Sequence, residues 1–309
     1  MSRQAEKERA ERAETGSHER VSPYVVMASC GISPKKALGQ NFLSDLTVVK
    51  KIVSAAGVEK SDIVLEIGPG LGIMTGILAD RAGYVAAVEI DRDLAPALDS
   101  VMSGRDNIEI IYGDIMKVNV GELTERLRRE HPGLTRVKVV ANLPYYITSP
   151  IIMMLLEQYS ETFSSLTFMV QKEVAERLVS RPGEPEYGAI TLAVAYRADA
   201  EICFTVPSSC FVPRPKVDSA VVNLNIYKIR PVEPSDPAHM FRLIRASFAQ
   251  RRKMLVNALS NAAYLSVGKS EVAGALESIG LNPAARGEEL SVAQFAALSG
   301  ILNKQPPGN

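Results

Sequence analysis

The stretch "DIVLEIGPGLGIMTGILADRAG" (62–83) decides the fold, because it joins an apolar run to a helical pattern through a glycine loop. Its first part is rich in Ile and Val and stops at Gly-Pro-Gly, which predicts a buried strand over 62–68. The residues at 71–83 predict a helix. A strand that passes through a glycine loop into a helix is the basic unit of a parallel α/β sheet.

The same alternation of apolar runs and helical patterns continues beyond this unit. Apolar runs predict further strands at 84–91, 107–114, 136–142, 165–171, 201–207 and 218–227. Helical spacing and capping residues predict helices at 44–57 (with Ser44 as its cap), 92–104, 122–133, 149–158 and 172–180. Together they predict an α/β fold in which a parallel sheet carries helices on both faces.

Composition divides the chain into three segments. Residues 1–20 carry charges of both signs and almost no apolar side chains, so we predict a disordered extension over 1–22. The stretch 228–238 holds three prolines and little apolar content, which is typical of a domain boundary. We therefore predict an α/β domain over 23–230 and a small all-helical domain over 231–309, which begins with a helix over 239–263.

The overall composition argues against several classes of protein. Lys+Arg and Asp+Glu both number 35, so a nucleic-acid partner would need a local basic patch. The three cysteines form no CxxC pair and the three histidines are widely scattered, which predicts neither a disulfide framework nor a metal site. No apolar run approaches the roughly 20 residues of a membrane span. We predict a cytoplasmic protein with reduced thiols.

Glycines and acids stand where the predicted strands end. In an open parallel sheet, ligands bind outside the carboxyl ends of the strands, where this chain places Gly68, Gly70, Glu89 and Asp114. Gly68, Gly70 and Gly72 have GxGxG spacing, which differs from the GxGxxG fingerprint of dinucleotide-binding sites. A glycine turn of this kind can also serve only the tight packing of a strand against a helix. S-adenosylmethionine has no phosphate and needs acceptors for its ribose hydroxyls and its adenine amine. Glu89 suits the ribose and Asp114 the amine, and their negative charge suits a cationic ligand.

The strand at 136–142 ends on a group with no strong acid or base, in "VVANLPYYITSP" (139–150). An aromatic amine such as N6 of adenine needs no prior deprotonation, but it needs acceptors for its two N–H bonds. The Asn142 side-chain oxygen and the Leu143 carbonyl can supply them, and Tyr145 can stack on the base. A plain turn is the alternative interpretation. The acids at the ends of the neighbouring strands favour the interpretation as a site for an aromatic amine.

At these residues the chain resembles the ribosomal RNA adenine dimethyltransferases of the KsgA type, over nearly all of residues 30–300. The motifs occur in family order, among them "ALGQNFLSD" (37–45), "VLEIGPGLGIMT" (64–75), "NLPYYITSP" (142–150), "FVPRPKVDSAVV" (211–222) and "FAQRRKML" (248–255). The resemblance implies a Rossmann-like S-adenosylmethionine methyltransferase domain followed by a small helical domain. It implies dimethylation of N6 of two adjacent adenosines in a hairpin near the 3′ end of small-subunit (16S) ribosomal RNA, during ribosome assembly.

The resemblance also implies roles for particular residues. Asn41 and Leu43 would join Gly68, Gly70, Glu89, Asp114 and Asn142 around the cofactor. Asn142, Leu143 and Tyr145 would hold the target amine and base, and Phe211 would stack on the other face of that base. A core phenylalanine is the alternative for Phe211. The chain departs from the family at Tyr146, where many members have Asn. Because this position follows the acceptor residues, activity is expected to survive, with a different fit of the base.

Basic residues are concentrated locally. Between 241 and 254 lie Arg242, Arg245, Arg251, Arg252 and Lys253 with no acid among them, and Lys35, Lys36, Arg214 and Lys216 flank the predicted pocket in sequence. We predict that these residues bind RNA phosphates, with a solvated helix face as the alternative for the first group. A base inside a duplex could not reach the pocket, so the target must be looped out or flipped.

Two other functions fit the same fold. One is a methyltransferase that modifies large-subunit ribosomal RNA and gives macrolide resistance, and the other is a non-catalytic RNA-binding factor. The form of "FAQRRKML" and "FVPRPKVDSAVV" disfavours the first, and the intact group at 142–145 disfavours the second. An NAD dehydrogenase is a more distant alternative. The expected partner is small-subunit ribosomal RNA or its precursor particle, and the absence of a dimerising heptad predicts a monomer.

Overall fold

The computed structural model describes residues 23–303, so the predicted disordered extension lies outside the described residues. Its strands, numbered along the chain, are β1 (Phe42–Leu43), β2 (Asp62–Ile67), β3 (Tyr84–Glu89), β4 (Ile108–Tyr112), β5 (Arg136–Asn142), β6 (Ser165–Gln171), β7 (Ala198–Val206), β8 (Phe211–Val212) and β9 (Ser219–Ile226). Seven of them form one sheet in the order β4-β3-β2-β5-β6-β9-β7, and β1 pairs with β8 separately. The predicted α/β class is confirmed.

Helices cover both faces of the large sheet. The α-helices within residues 23–303 are α1 (Pro23–Cys30), α2 (Leu46–Ala55), α3 (Ile73–Arg81), α4 (Ala95–Met102), α5 (Val120–Glu130), α6 (Thr148–Tyr159), α7 (Lys172–Val179), α8 (Ala189–Arg197), α9 (Pro237–Ala249), α10 (Leu255–Ser260), α11 (Lys269–Ser278) and α12 (Val292–Leu302). Successive strand residues point to opposite faces. Accordingly Val64 joins a buried cluster with α2 and α3, whereas Leu65 joins one with α5 and α6. None of these helices has the length and apolar character needed to cross a membrane.

The large sheet is parallel, as predicted, except for one strand. Strand β9 runs antiparallel to both of its neighbours, β6 and β7. The connection from β7 to β9 (207–218) contains a 3₁₀ turn and the two-residue β8 but no α-helix, whereas the crossover to a parallel neighbour is usually helical. The chain therefore turns back beside β7 instead of crossing over.

The cap predicted for the helix at 44–57 is also wrong. The Asp45 carboxylate caps α2 by accepting a hydrogen bond of 2.9 Å from the Thr47 amide, whereas the Ser44 hydroxyl donates to the Cys210 carbonyl at 3.0 Å. Ser44 is thereby tied to the β1–β8 pair, because Cys210 immediately precedes β8. Helix α2 starts two residues later than predicted.

The C-terminal helices pack around a second core. Helices α9 to α12 contribute Met240, Leu255, Leu276 and Phe295 to it, all fully buried. Helix α8 belongs to the same core through Leu192 and Tyr196, which lie before the predicted boundary. The C-terminal helices therefore share one apolar cluster with the end of the α/β part.

The single helix predicted over 239–263 is interrupted. Helix α9 ends at Ala249 and α10 begins at Leu255. Between them the backbone of Met254 bridges to Arg286, and the Leu255 amide donates to the Ala285 carbonyl at 2.8 Å. Leu255 is fully buried, so the chain leaves the helix in order to bring this side chain into the second core.

Candidate active site

A cavity of about 370 Å³ lies at the carboxyl ends of β2, β3 and β5. Its walls are the glycine loop after β2, the turn after β5, and part of the segment 35–43, which we call the cover. The ends of β3 and β4 complete the lining. The structure brings nine sequence-predicted residues together there: Asn41, Leu43, Gly68, Gly70, Glu89, Asp114, Asn142, Leu143 and Tyr145.

The glycine loop needs its glycines for backbone conformation and for close packing. Gly68, Gly70 and Gly72 have φ angles of 68°, 61° and 77°, in the left-handed region that strains other residues. A Cβ atom on Gly70 would lie 3.2 Å from the ring of Phe42 in the cover. The loop is therefore pressed against the cover, and its backbone can approach a ligand without an intervening side chain.

Glu89 ends β3 with its carboxylate held inside the site. The side chain is buried, its Oε2 accepts from the Gly70 amide at 3.2 Å, and its Oε1 accepts from the Asp91 amide at 2.8 Å. Burial raises the pKa of Glu89, and the two backbone hydrogen bonds oppose that rise. Each oxygen keeps a further lone pair, so the carboxylate can still accept hydrogen bonds from a pair of hydroxyl groups.

A second acid, Glu66, lies behind the glycine loop and was missed at the sequence level. Its side chain is fully buried, and neither carboxyl oxygen has a hydrogen-bond partner among the described residues. Burial raises the pKa of Glu66 to about 8. The nearby Thr75 hydroxyl opposes this rise, and the charge of Glu89 adds to it. The folded protein therefore holds Glu66 mainly as the neutral acid at pH 7.

Asp114 lines the cavity beyond the end of β4. Its Oδ1 accepts from the Met116 amide at 3.0 Å, and its Oδ2 lies 4.0 Å from Lys117 Nζ. The carboxylate thus caps the following turn. A carboxylate can accept several hydrogen bonds, so this cap is compatible with the predicted contact to an amine.

Asn142, the last residue of β5, is held by the cover. Its amide nitrogen donates to the Asn41 carbonyl at 3.2 Å, and the Asn41 side chain donates to the Gly39 carbonyl at 3.0 Å. The bond fixes the plane of the Asn142 amide and uses its nitrogen, so the oxygen is the group available as an acceptor. The Leu143 amide donates to Met169 on β6, which fixes the backbone of the turn at its start.

The two tyrosines of the turn have different environments. The Tyr145 hydroxyl lies 2.7 Å from the Ser219 hydroxyl, and this contact orients the ring. Burial raises the pKa of Tyr145, while the bond to Ser219 opposes the rise. Tyr146 is 60% exposed at the rim of the cavity, where a Cβ atom on Gly39 would lie 3.2 Å from its ring. Tyr145 is therefore the aromatic ring positioned inside the site.

The structure does not bring Phe211 to the cavity. Its side chain is 3% exposed and packs in the core cluster with Leu43 and Val206, while its backbone pairs with Leu43 across β1 and β8. Burial in a core withdraws the ring from any base bound above Tyr145. Phe211 is therefore a core phenylalanine, as in the alternative interpretation. The structure does not support the prediction that its ring stacks on the target base.

The predicted phosphate-binding residues near the cavity differ in their availability. Lys35 Nζ lies 2.5 Å from Asp91 and 2.6 Å from Asp93, so its charge is already neutralised and its predicted RNA contact is not supported. Lys36, Arg214 and Lys216 are exposed. Because β1 and β8 are antiparallel, with Phe42 opposite Val212, residues before β1 and after β8 emerge at the same end. These three cations therefore belong to one rim of the site.

The second basic group is not a single helix face. Arg245 lies on α9, but Arg251, Arg252 and Lys253 lie in the turn after that helix ends. Arg251 is engaged, with its Nε 2.8 Å from Glu288 and its guanidinium donating to the Pro185 carbonyl. Arg245, Arg252 and Lys253 are exposed.

Within residues 23–303, no group of three His, Cys, Asp or Glu residues is arranged to hold a metal ion.

Two solved structures of methyltransferases are similar to this structure over most of the chain. A dimethyladenosine transferase from Plasmodium falciparum is 27% identical, with a TM-score of 0.69, and the match covers 83% of this chain and 95% of that one. The 23S rRNA methyltransferase ErmE is also 27% identical, with a TM-score of 0.62, over 85% of this chain and all of that one. The Rossmann-like methyltransferase fold predicted from the sequence is therefore confirmed.

Curated relatives are more similar in sequence. A protein named ribosomal RNA small subunit methyltransferase A from Lachnoclostridium phytofermentans is 47% identical over 272 residues, which cover 88% of this chain and 92% of the relative. A protein of the same name from Ligilactobacillus salivarius is 45% identical over 90% of this chain and 93% of the relative. The family model described as ribosomal RNA adenine dimethylase matches residues 32–304. With its glycine loop, acidic strand ends and Asn-Leu-Pro-Tyr turn meeting in one cavity, the chain belongs to the ribosomal RNA adenine dimethylase family.

Proposed function

We propose that the protein transfers methyl groups from S-adenosylmethionine to N6 of two adjacent adenosines in a hairpin near the 3′ end of small-subunit ribosomal RNA, during ribosome assembly. The observation that carries this proposal is the meeting of Glu89, Asp114 and the group at 142–145 in one cavity. Its substrate particle would be a precursor of the small subunit, so we place its activity in the cytoplasm.

The residues in the cavity fit the cofactor. Glu89 would accept hydrogen bonds from the two ribose hydroxyls, because its carboxylate is fixed by the Gly70 and Asp91 amides. Asp114 would accept from the adenine amine, while Asn41 and Leu43 of the cover would enclose the nucleoside. When bound, the cofactor supplies a methyl group on a positively charged sulfur, and the acidic lining suits that charge.

The turn after β5 would hold the target amine. The Asn142 side-chain oxygen and the Leu143 carbonyl would each accept one N–H bond of the amine, which favours a tetrahedral nitrogen with its lone pair free. Tyr145, oriented by Ser219, would stack on the adenine ring. These groups take up no proton before transfer, so positioning the amine is their main contribution to the rate. Phe211 has no part in this arrangement.

The rim cations Lys36, Arg214 and Lys216 would bind phosphates of the RNA beside the cavity. Arg245, Arg252 and Lys253 would provide a second, separate contact from the C-terminal helices. We propose that the protein works as a monomer, which size-exclusion chromatography with light scattering tests directly.

The deciding experiment is methyl transfer to isolated ribosomal subunits. The protein is incubated with labelled S-adenosylmethionine and small subunits that lack the modification, and separately with large subunits. We expect label on N6 of two adjacent adenines of the small-subunit RNA. Label on the large subunit alone would support the macrolide-resistance alternative, which the 27% identity to ErmE against 47% to a small-subunit enzyme disfavours.

A substitution separates catalysis from RNA binding. Removing one positioned polar group typically costs about 3–4 kcal/mol of transition-state stabilisation, so Asn142→Ala should lower kcat by roughly 10²–10³-fold while RNA affinity stays unchanged. Asn225→Ala is the matched control, because Asn225 is exposed near the other end of the sheet, opposite Ser165. Unchanged turnover in Asn142→Ala would contradict the role of the turn and support the non-catalytic alternative.

A further inference from the structure

Besides the bond from Asn142 to Asn41, the cover is attached to the sheet through a buried carboxylate. Asp91 follows β3 and is almost fully buried. Its Oδ1 lies 2.5 Å from Lys35 Nζ, and its Oδ2 accepts from the Gln40 side-chain amide at 2.7 Å. The Gln40 side-chain oxygen also accepts from the Lys35 amide at 2.7 Å, so Lys35 and Gln40 are joined to each other as well as to Asp91.

The charges at this attachment stabilise one another. Burial disfavours the charged form of Asp91, but the hydrogen bonds from Lys35 and Gln40 outweigh that effect and lower its pKa. The bond to Asp91, followed by the contact with Asp93, raises the pKa of Lys35. The attachment is therefore an ionised pair at neutral pH, and hydrogen bonds to charged groups are stronger than neutral ones.

The same attachment reaches the predicted ribose acceptor. Glu89 receives its two backbone hydrogen bonds from Gly70 and Asp91. The cover contacts both donors, since the Phe42 ring packs against Gly70 and the side chains of Lys35 and Gln40 bind Asp91. Movement of the cover would therefore disturb both groups that orient the Glu89 carboxylate.

We propose that Asp91 is a positioning residue for the nucleoside cofactor, which clamps the cover over the cavity through Lys35 and Gln40 and holds Glu89 through its own amide. This inference rests on the proposed function. It assigns Lys35 to the closure of the cofactor site instead of to RNA phosphates. It also explains why a lysine at the rim of an RNA-binding site is paired with two acids.

Binding of S-adenosylhomocysteine, measured by isothermal titration calorimetry, tests the proposal. Asp91→Asn keeps the size of the side chain but replaces one acceptor oxygen by a donor, so it should weaken binding by about 10- to 100-fold. Asp93→Asn is the matched control. Asp93 also contacts Lys35, at 2.6 Å, but its side chain is 73% exposed. We expect Asp93→Asn to change the dissociation constant by less than about twofold, as for an exposed ion pair.

Hydrogen exchange gives a readout that a general loss of stability would not reproduce. In Asp91→Asn we expect the amides of the cover, 35–43, to exchange at least about tenfold faster while those of β5 keep their protection. In steady state, the KM for the cofactor should rise, whereas the KM for RNA should stay constant.

A double-mutant cycle keeps the test valid if Asp91→Asn folds poorly. Lys35→Met removes the cation from the cover side, and Lys35 is not among the residues that line the cavity. It should weaken cofactor binding in the same direction, and the double variant should bind no more weakly than Asp91→Asn alone. If Lys35 bound phosphate instead, Lys35→Met would lower the salt dependence of RNA binding by about one ion and leave cofactor affinity intact.

Several outcomes would overturn the inference. Cofactor affinity of Asp91→Asn within twofold of the unaltered protein, unchanged exchange in the cover, or equal effects of Asp91→Asn and Asp93→Asn would each do so. An unaltered protein that does not bind S-adenosylhomocysteine at all would instead contradict the proposed function, so the two failures are distinguishable.

Discussion

Replacing Glu66 by glutamine should change how the stability of the protein depends on pH. The Glu66 carboxyl is fully buried without a hydrogen-bond partner among the described residues, and burial raises its pKa from 4.5 to about 8. Between those two values the folded protein keeps the proton while the unfolded chain releases it. The free energy of unfolding therefore decreases as the pH rises through this range.

The size of the effect follows from this window. Each pH unit between the two pKa values is worth about 1.4 kcal/mol, so the two and a half units from pH 4.5 to pH 7 amount to about 3 kcal/mol. This contribution is fully present below pH 4.5 and is lost by about pH 8. Glutamine has a similar shape and cannot ionise, so Glu66→Gln should remove the pH dependence that comes from this site.

Urea unfolding of both proteins at intervals from pH 5 to pH 8 measures the difference. We expect the stability of Glu66→Gln relative to the unaltered protein to increase by about 3–4 kcal/mol across this range, with unchanged m values. Glu173→Gln, which removes a highly exposed carboxylate, controls for the change in net charge. Parallel curves for the unaltered protein and Glu66→Gln would show that Glu66 is ionised in the folded state, and would refute this reasoning.

Three further changes test other parts of the structure. Gly72→Ala would place a methyl group 2.7 Å from Val101 at a left-handed backbone position, so we expect a loss of about 2–4 kcal/mol in urea unfolding; a loss below 0.5 kcal/mol would contradict the packing. Asp62→Ala would leave Lys138 buried without its charge partner at 3.3 Å, and chemical denaturation should show a loss of about 3–5 kcal/mol. A neutral outcome would mean that Lys138 finds other partners. Tyr146→Asn alters an exposed ring outside the acceptor group, so kcat in the methylation assay should change by less than about threefold; a hundredfold loss would place Tyr146 among the residues that hold the base.

The elements that position the site could be predicted from the sequence. Strands β5 and β6 have the predicted bounds, because each is a short, mostly apolar stretch of the length typical of a buried strand. The glycine loop and the acids after it were placed correctly at the strand ends for the same reason. Strands β1 and β8 were missed because each is only two residues long, and α8 because its residues are apolar around the whole helix.

Side-chain partners that lie far apart in the chain could not be predicted. Lys35 and Asp91 are 56 residues apart, and nothing in a local pattern shows that a lysine near the pocket has a buried acid beside it. Phe211 illustrates the same limit, because a motif gives its order in the chain but does not show whether the ring points into a core or a cavity. Arg251 was grouped with its basic neighbours, although Glu288 neutralises it from a distant 3₁₀ turn.

The apolar cluster shared by α8 and the C-terminal helices has a consequence for dissecting the protein. Cutting the chain in its proline-rich connection near residue 230 would remove the apolar side chains that pack against Leu192 and Tyr196, both of which are fully buried. It would also expose Met240 and Phe295 to water. Each fragment would then expose an apolar surface, so either piece expressed alone is expected to aggregate. Work on separate halves would need substitutions that make these faces polar.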